Sequence, residues 1–504
     1  MRRIPEVVPA DALNLELREN VHPPGRENPK PAPSYNLVVL GAGTAGLVTA
    51  AGGAGLGAKV ALVEKHFLGG DCLNVGCVPS KAVIRASRVV GELRKAAAFG
   101  VNVRGFEVDF GKAMEHMRRV RTKISHHDSV ERFSKLGVDI FLGEPRFTGP
   151  NTVEVDGQTL KFSKAVVATG ARAVKPPIPG LAEAGFLTNE NVFNLTERPR
   201  RLAVIGAGPI GCELAQAFQR LGCEVSLLDM APHILVREDA DAAEVVQRKF
   251  VAEGINLVLK ASLKLVEKRA SGKRIVYAVD GKESEIEVDE ILVGAGRAPN
   301  VEGLGLEKVG VEVDKNGVRV NDRLQTTNSS IYAAGDVCMT HKFTHAADFA
   351  ARAVLQNALF KGRKKLSALT IPWCTYTDPE VAHVGMYEAD AKAKGIAVDT
   401  YLRKFDDVDR AIADGEEEGF VKIHCRKGTG EILGATIVAS HAGDMISEVT
   451  LALTQKIALG SLASVIHPYP TQAEAIRQCG DMFNRTRLTP FVKKAFDRWL
   501  RWTR

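Results

Sequence analysis

The chain has 504 residues, of which 45% are hydrophobic and 25% are charged, which is the balance of an ordinary globular protein. This composition excludes a disordered chain, a collagen-like fibre and a small disulfide-stapled scaffold. The formal net charge of +7 is concentrated in residues 485–504, where seven basic residues face a single acid. A basic tail on a near-neutral body does not support a nucleic-acid-binding protein.

Eight cysteines are too few for a disulfide framework, and only Cys72 and Cys77 are close in sequence. We therefore expect one special cysteine pair, a reducing compartment and a cytoplasmic location. Residues 1–34 are polar and hold 7 of the 22 prolines, so we predict an extended arm and no targeting signal. Residues 37–58 are uncharged and long enough to span a bilayer, but their seven glycines favour a nucleotide-binding fold.

The first structural unit begins with a strand predicted at residues 36–40, which leads directly into a G-x-G-x-x-G turn and a helix-forming segment. A second strand, at residues 59–63, ends at Glu64, 18 residues after the last glycine of the turn. In this pattern the glycines let a pyrophosphate approach the helix N-terminus, and the acid binds a ribose hydroxyl. The unit therefore predicts a dinucleotide site at Gly41, Gly43, Gly46 and Glu64.

The same unit recurs further along the chain. Residues 201–205 predict a strand, which is followed by the turn glycines Gly206, Gly208 and Gly211, a helix, and a strand that ends at Asp229. Two such units predict two dinucleotide sites. The carboxylate of Asp229 would repel the additional phosphate of NADP, which favours NADH as the second nucleotide.

The segments around the second unit indicate a first domain that a second one interrupts. A crossing rich in proline, residues 176–180, leads out of the first unit, and residues 294–297 mark the return. A further buried strand then ends at Gly335 and Asp336.

From about residue 366 the pattern changes. Short strands at residues 420–424 and 432–438 precede a helix predicted at residues 444–459. This part of the chain predicts an α+β domain without a nucleotide signature.

The segment from residue 69 to residue 81 carries the most specific motif, with Cys72 and Cys77 five residues apart. On a regular helix such residues have Cα atoms about 8 to 9 Å apart, too far for a disulfide. Gly76 gives the backbone freedom to tighten the turn, and Pro79 suits the first turn of a following helix. Cys77 is then expected near a helix N-terminus, where a thiolate is favoured. No second Cys/His pair at ligand spacing appears, so we predict no metal site.

Together these motifs resemble class I of the flavin-dependent pyridine nucleotide-disulfide oxidoreductases, which include dihydrolipoamide dehydrogenase, glutathione reductase and mercuric reductase. The resemblance covers roughly residues 35–485. It implies an α/β fold with two Rossmann-like domains, one for FAD and one for NAD(P), and a C-terminal α+β dimerisation domain. It also implies a homodimer in which the C-terminal domain of one subunit completes the active site of the other.

The resemblance divides the chain into an arm, three domains and a tail. The expected bounds are 1–34 for the proline-rich arm, 35–180 and 292–365 for a discontinuous FAD-binding domain, 181–291 for the NAD(P)-binding domain, 366–487 for the C-terminal dimerisation domain, and 488–504 for the tail.

The resemblance also assigns roles to individual residues. Cys77 would contact the flavin, Cys72 would exchange with the substrate, and Lys81 would pair with Glu213 beside the hydride-accepting nitrogen. Asp336 would hold the ribityl chain of FAD. The residues implied to bind FAD or NAD(P) are Gly41, Gly43, Thr44, Ala45, Gly46, Glu64, Asp71, Lys81, Thr169, Gly170, Gly335, Asp336, Thr344, His345, Gly206, Gly208, Gly211, Asp229 and Gly296. The implied cycle takes a hydride from NAD(P)H to FAD, opens the Cys72–Cys77 disulfide, and reduces an electrophilic acceptor.

One departure from the family bears on the substrate. Members that reduce disulfides carry a His-Pro pair with a Glu five residues after the His, and the imidazole moves the substrate thiol's proton. Here Tyr469 occupies that position, before Pro470 and five residues ahead of Glu474. A phenol with a pKa near ~10 is a poor base at neutral pH, which argues against lipoamide or glutathione turnover.

Mercuric reductases are similar in placing tyrosine at this position, but they end in two adjacent cysteines. The last cysteine here is Cys479, which stands alone. The expectation is therefore a mercuric-reductase-like enzyme without that delivery apparatus. A dihydrolipoamide dehydrogenase that uses His467 remains the alternative within the same class.

The tail places Phe491, Phe496, Trp499 and Leu500 on one helical face, with lysines and arginines on the other. A basic amphipathic helix with tryptophan suits a membrane surface. Packing against the partner subunit or the arm is the alternative. Membrane binding by the tail leads to a hypothesis of another functional class, in which the protein is a membrane-associated redox sensor with incidental turnover.

Overall fold

The structure is a computed structural model that describes residues 6–504, so residues 1–5 of the predicted arm lie outside it. The chain divides into two compact units. Unit 1 contains the residues up to Ala207 together with Leu214–Met230 and Lys260–Leu369, and unit 2 contains Gly208–Glu213, Ala231–Leu259 and Thr370–Arg504.

The strands follow the chain in numerical order. They are β1 (Tyr35–Leu40), β2 (Val60–Glu64), β3 (Asp139–Leu142), β4 (Arg146–Gly149), β5 (Thr152–Val155), β6 (Gln158–Val167), β7 (Ala171–Ala173), β8 (Arg201–Ile205), β9 (Glu224–Leu228), β10 (Asn256–Val258), β11 (Ser262–Arg269), β12 (Gly272–Val279), β13 (Lys282–Val288), β14 (Glu290–Val293), β15 (Arg297–Pro299), β16 (Val313–Asp314), β17 (Gly317–Val318), β18 (Ile331–Ala333), β19 (Trp373–Thr375), β20 (Glu380–Gly385), β21 (Val398–Lys404), β22 (Phe420–Arg426) and β23 (Ile432–Ala439).

The α-helices are numbered in the same way. They are α1 (Ala12–Val21), α2 (Thr44–Gly55), α3 (Gly70–Asn74), α4 (Cys77–Lys95), α5 (Phe110–Ser125), α6 (Val130–Lys135), α7 (Leu181–Ala184), α8 (Pro209–Arg220), α9 (Ala240–Ala252), α10 (Thr344–Phe360), α11 (Glu388–Ala393), α12 (Asp409–Ala413), α13 (Ala442–Thr454), α14 (Leu459–Leu462), α15 (Glu474–Thr486) and α16 (Pro490–Trp502).

The first sheet of unit 1 is built around β1, which pairs in parallel with β2 and with β6. Strand β3 extends the parallel part beyond β2, and β4 and β5 form an antiparallel meander on β6. Strand β18 pairs in parallel with β6, from Ile331 opposite Ala165 to Ala333 opposite Val167. The chain therefore returns to its first sheet late in the sequence, as the discontinuous domain requires; the exact domain boundaries stay predictions.

The second glycine motif follows a strand of another parallel sheet, where β8 pairs with β9 on one side and with β14 on the other. The strands predicted at residues 201–205 and 224–228 are confirmed at those bounds. Both parallel sheets have strands buried on both faces, which explains why their sequences are continuous apolar runs rather than alternating ones.

Unit 2 contains an antiparallel sheet in the order β19-β20-β23-β22-β21. Helices α13 and α15 contribute Val449 and Ile476 to its buried core. The predicted helix at residues 444–459 is wrong at its end, because α13 stops at Thr454 and Lys456 adopts a positive φ of 56°. Such a conformation is left-handed and interrupts a right-handed helix, so α14 begins as a separate element.

The N-terminal arm differs from the extended arm that we predicted. Residues 12–21 form α1, whose start is capped by the Asp11 side chain, which accepts a hydrogen bond from the Asn14 amide. Leu17 and Val21 are buried, so the helix packs on the body of unit 1. The prediction failed because two apolar side chains suffice to anchor a short helix that local propensity alone does not stabilise.

Matched substitutions on α1 test this packing. Leu17 is 2% exposed and Leu15 is 38% exposed. We expect Leu17→Ala to lower the local unfolding free energy of α1 by about 2 kcal/mol or more, because it leaves a cavity. Leu15→Ala is expected to change it by less than about 0.5 kcal/mol. Hydrogen exchange of residues 12–21 measures both, and equal effects would contradict the packing.

Candidate functional site

The first glycine turn shows which of its glycines the protein itself requires. Gly41 follows β1 with a φ of 99°, a conformation that favours glycine. A Cβ on Gly46 would overlap the carbonyl oxygen of Gly41, so this glycine is required by packing. A Cβ on Gly43, in contrast, would meet only the Cα of Gly70, at 3.8 Å. The surface above Gly43 is therefore open, as close approach of a pyrophosphate requires.

The carboxylate of Glu64 holds this turn in place. It accepts hydrogen bonds from the backbone amides of Ala42, at 2.6 Å, and of His66, at 2.7 Å. Burial raises the pKa of Glu64, and the two backbone donors oppose that shift. The sequence predicted only a ribose contact for this acid, which stays a prediction; the turn-holding role is additional.

The second glycine turn repeats this arrangement. Gly206 follows β8 with a φ of 104°, and the backbone amide of Ala207 donates to the Asp229 carboxylate at 2.5 Å. A Cβ on Gly208 would meet no atom of the described chain within 4 Å. Gly211 lies in the first turn of α8. The two turns therefore both leave their middle glycine open to a ligand.

Three helices of this region begin without a side-chain cap within residues 6–504. The residue before α2 is Gly43, the residue before α4 is Gly76, and the residue before α10 is Phe343. The first amides of a helix need a partner from outside it, and an anionic group at the helix start provides one. Open glycines and uncapped helix starts fit the phosphates of a flavin dinucleotide and the negative charge of its reduced ring.

The cysteine motif lies where one helix stops and the next begins. Cys72 is in α3 and Cys77 is the first residue of α4, as the predicted helix N-terminus requires. A Cβ on Gly76 would lie 2.8 Å from the Asp71 carbonyl oxygen. Gly76 therefore permits close approach of the chain at a negative φ of −133°, rather than by a left-handed conformation.

The two thiols contact each other, and they are not joined by a disulfide in the structure. The hydrogen bond with Cys77 and, next, burial raise the pKa of the Cys72 thiol. Cys72 therefore keeps its proton when the pair is reduced. Cys77 lies at a helix N-terminus, 3.3 Å from the Thr344 hydroxyl, so the thiolate is favoured there. This contact joins the cysteine motif to the start of α10, while the predicted place of Thr344 beside the flavin stays a prediction.

Arg297 is a residue of this region that our site prediction missed. Its guanidinium pairs with Asp71 and lies 3.5 Å from the carboxylate of Asp336. Burial raises the pKa of Asp336, and the charge of Arg297 opposes that shift. The chain segment 294–297 was recognised only as a crossing, although an arginine directly after its glycines was a usable signal.

The other residues of unit 1 that we predicted to bind FAD lie on turns or at the starts of helices. The Thr169 hydroxyl donates to the Asn300 carbonyl at 2.7 Å, and Gly170, Gly296 and Gly335 all have positive φ values. His345 stacks on Phe343 at the start of α10, with ring centroids 5.4 Å apart. Thr44 and Ala45 open α2. Their contacts with a cofactor stay predictions.

Lys81 and Glu213 belong to different units. Lys81 lies in α4, one turn after Cys77 and on the same helical face. Glu213 lies in unit 2, where its carboxylate accepts a hydrogen bond from the Tyr376 amide at 2.9 Å. Their pairing stays a prediction.

The acceptor-side residues lie in unit 2. Tyr469 is 71% exposed, and its hydroxyl donates to the Asp409 carboxylate at 2.8 Å. This hydrogen bond raises the pKa of Tyr469, so the side chain is a neutral phenol at physiological pH. Glu474 pairs with Arg477 at 2.5 Å. Asp409 was not predicted, because nothing in the sequence links it to a residue 60 positions away.

His467 has partners for both ring nitrogens within unit 2. Its Nε2 lies 3.0 Å from Glu448 and its Nδ1 lies 3.1 Å from the Val465 carbonyl, while 7% of the side chain is exposed. Whether His467 has a structural or a catalytic role stays a prediction.

The last cysteine of the chain is not accessible from solvent. Cys479 is fully buried, and burial raises the pKa of its thiol to about 12. Residues 6–504 contain no group of three or more His, Cys, Asp and Glu side chains that could hold a metal ion. None of the helices in this part of the chain is both long and apolar enough to cross a bilayer.

Comparison with known proteins defines the class. The sequence profile of the family described as pyridine nucleotide-disulphide oxidoreductase matches residues 35–356, and that of its dimerisation domain matches residues 371–479. The chain belongs to the class I pyridine nucleotide-disulfide oxidoreductase family. It is a flavoprotein disulfide oxidoreductase, its family uses FAD and NAD(P)H, and its dimerisation domain supports a homodimer.

Two types of curated relative are equally similar to the chain. Mercuric reductase from Staphylococcus aureus is 34% identical over 472 residues, which cover 92% of this chain and 86% of that protein. Dihydrolipoyl dehydrogenase from Thermus scotoductus is 35% identical over 463 residues, which cover 90% of this chain and 98% of that protein. These identities do not separate the two activities.

Solved structures show the same fold. The HOCl-induced flavoprotein disulfide reductase RclA from Escherichia coli has 25% sequence identity and a TM-score of 0.79, over 88% of this chain and 99% of its own. A Cu(II) complex of RclA matches with a TM-score of 0.79 and 25% identity, over 90% of this chain and all of the other.

The open glycine of the second turn generates a prediction. We expect Gly208→Ala to raise the KM for NAD(P)H about tenfold, because the added methyl group occupies the space of the pyrophosphate. The thermal stability should not change, since no atom of the described chain lies within 4 Å of the added Cβ. Gly55→Ala is the matched control, because its Cβ also meets no atom within 4 Å. Steady-state kinetics and thermal unfolding measure both variants, and an unchanged KM would contradict this role of Gly208.

Proposed function

We propose that this protein is an NAD(P)H-dependent flavoenzyme that reduces a soft metal ion by way of the Cys72–Cys77 pair. The observation that carries the proposal is the combination of a helix-terminal Cys77 at 3.3 Å from Thr344 with a tyrosine, Tyr469, in place of the histidine base. The first feature supports electron relay from a flavin, and the second argues against a thiol substrate.

The electron balance involves one disulfide. When bound, NAD(P)H supplies a hydride and FAD carries its two electrons to the protein. The two electrons and the one proton of that hydride convert the disulfide into one thiol and one thiolate. The reduced pair then gives two electrons to a divalent soft metal ion, releases one proton and closes to the disulfide again. In the reduced pair, Cys72 holds a proton and Cys77 carries the negative charge.

Tyr469 and Asp409 form the polar part of the proposed acceptor site. The phenol donates a hydrogen bond to the Asp409 carboxylate at 2.8 Å, which leaves the lone pairs of the phenol oxygen directed away from that carboxylate. Such an oxygen can bind or orient a cation without moving a proton. The names of two similar proteins support a metal acceptor: one is a mercuric reductase and the other a Cu(II) complex.

The absence of an exposed terminal cysteine in the described residues limits how a metal arrives. Cys479 is buried, so it does not support a relay of the kind that paired terminal cysteines provide. In this proposal the acceptor reaches Cys72 and Cys77 directly from solvent, and Cys77 is exposed.

Anaerobic titration with NADH tests the electron relay. We expect a long-wavelength charge-transfer band in the reduced wild-type enzyme, because the Cys77 thiolate faces the flavin. Cys77→Ser should abolish the band and Cys72→Ser should retain it. Acceptors are then compared by NADH oxidation, with Hg(II), Cu(II), lipoamide, glutathione disulfide and quinones. Turnover is expected with a soft metal ion, and Tyr469→Phe should lower it about tenfold.

His467→Gln is the matched control in this experiment, because it should leave metal turnover unchanged. Rapid lipoamide turnover that His467→Gln abolishes would overturn the metal proposal in favour of a dihydrolipoamide dehydrogenase. A charge-transfer band that survives Cys77→Ser would show that the flavin-facing sulfur is misassigned.

A second candidate function concerns the tail. We propose that α16 binds an anionic membrane surface and that the cysteine state regulates this binding. Phe491 is 80% exposed and Trp502 is 77% exposed, and α16 has no buried residue. The same helix carries Lys493, Lys494 and Arg498, so its charge complements anionic headgroups.

Vesicle sedimentation tests this second candidate. We expect the full chain to bind phosphatidylserine-containing vesicles at low salt and not neutral phosphatidylcholine vesicles, because lysine and arginine contribute about 1 kcal/mol each at an anionic surface. Removal of residues 488–504 should abolish binding, and reduction of the cysteine pair should change it. A truncated chain that becomes monomeric would instead show that the tail packs on the partner subunit.

A further inference from the structure

The described part of the N-terminal arm lies outside the family profile, which begins at residue 35, yet it connects to the cysteine motif. The connection consists of two buried side chains, Asn14 in α1 and Arg121 in α5, which are 0% and 5% exposed. Arg121 donates through Nη2 to the Asn14 side-chain oxygen, at 2.7 Å, and through Nη1 to the Asn74 carbonyl oxygen, also at 2.7 Å.

Asn74 is the residue of the cysteine motif that Arg121 contacts. It is the last residue of α3, between Cys72 and Cys77, and the final carbonyls of a helix have no partner within the helix. A guanidinium is well suited to bind such a carbonyl. The side-chain amide of Asn74 in turn donates to the backbone carbonyls of Leu68 and Gly70, at 3.0 and 2.8 Å. The backbone between the two cysteines is thus held from both sides.

The arm holds its own end of the connection firmly. The backbone amide of Asn14 donates to the Asp11 carboxylate at 2.8 Å, and the side-chain amide of Asn14 donates to the Pro9 carbonyl at 2.8 Å. Asp11 also pairs with Arg118 of α5 at 2.7 Å. Asn14 therefore has one orientation, with its oxygen towards Arg121.

The charge of Arg121 makes this connection specific. Burial lowers the pKa of Arg121 to about 10, so the side chain remains a cation at neutral pH. It donates to two neutral oxygens, one from the arm and one from the cysteine motif. Removal of the arm oxygen leaves a buried donor without its acceptor, which is costly and frees the guanidinium to move.

We propose that the arm segment 9–22 is a strap that fixes the chain between Cys72 and Cys77 through Arg121, which acts as a positioning residue. The proposal rests on the redox role of these cysteines proposed above. Without the strap, the segment 70–77 is more mobile, and Cys77 no longer keeps its orientation at the start of α4.

The test uses three arm variants of the FAD-loaded enzyme. Asn14→Ala removes the acceptor for Arg121, and Asn14→Asp keeps an acceptor there. Asn20→Ala is the matched control, because Asn20 also lies in α1 and donates to α5, at Ser125, 2.9 Å away, but does not touch Arg121. Hydrogen exchange of residues 70–77 and the charge-transfer absorbance after NADH reduction are measured for each.

We expect Asn14→Ala to speed exchange in residues 70–77 about threefold or more and to weaken the charge-transfer band, because one buried hydrogen bond is lost. Asn14→Asp should restore both, and Asn20→Ala should leave both at wild-type values. Wild-type exchange and band in Asn14→Ala would overturn the strap, as would equal changes in Asn14→Ala and Asn20→Ala. If Asn14→Ala does not fold, wild-type values in Asn14→Asp support the proposal, and altered values in a folded Asn14→Asp overturn it.

The two proposals fail in different ways. If NADH does not reduce the cysteine pair in the wild-type enzyme, measured as the appearance of two alkylatable thiols, the redox role fails. If NADH reduces the pair but the Asn14 variants behave as wild type, only the strap fails.

Discussion

The contact between the Cys77 sulfur and the Thr344 hydroxyl, at 3.3 Å, is the constraint on which the rest of the site depends. It joins two residues 267 positions apart, each of which is the first residue of a helix. Two helix starts at one point concentrate positive potential there, which stabilises a negative charge on the sulfur. The chain returns to its first sheet through β18, and α10 is the next helix after that strand. The contact therefore links the path of the chain through unit 1 to the chemistry of the cysteine pair.

Many features of the fold and of the site could be predicted from the sequence, because the patterns that indicate them are local. The strands before each glycine turn, the acids after them and the helix start at Cys77 all follow from short patterns with a direct physical meaning. The failures have a different origin. The α1 helix depends on burial of Leu17 against residues far away in the chain, and the stop after Thr454 depends on a left-handed Lys456 that propensity does not favour. Arg297 and Asp409 were missed because their importance lies in partners that only folding brings near.

Unit 2 illustrates how one substitution can change the chemistry open to a family fold. A histidine can carry a proton between a thiol and solvent, whereas a phenol that donates to a carboxylate keeps its proton throughout. In this chain the exposed position has Tyr469, and the nearby His467 is instead engaged with Glu448 and its own backbone. The acceptor that we propose, a soft metal ion, takes up electrons without taking up a proton, which agrees with a phenol at this position.

The uncapped starts of α2, α4 and α10 carry a consequence for how the protein matures in a cell. Four other helices, α1, α5, α6 and α16, are capped by the side chains of Asp11, Asp109, Ser129 and Thr489. A missing cap costs about 1 kcal/mol, and a bound anion can return that energy. Newly made chains would therefore be at their most fragile before they acquire the nucleotide, and a shortage of riboflavin would reduce the amount of folded protein as well as its activity.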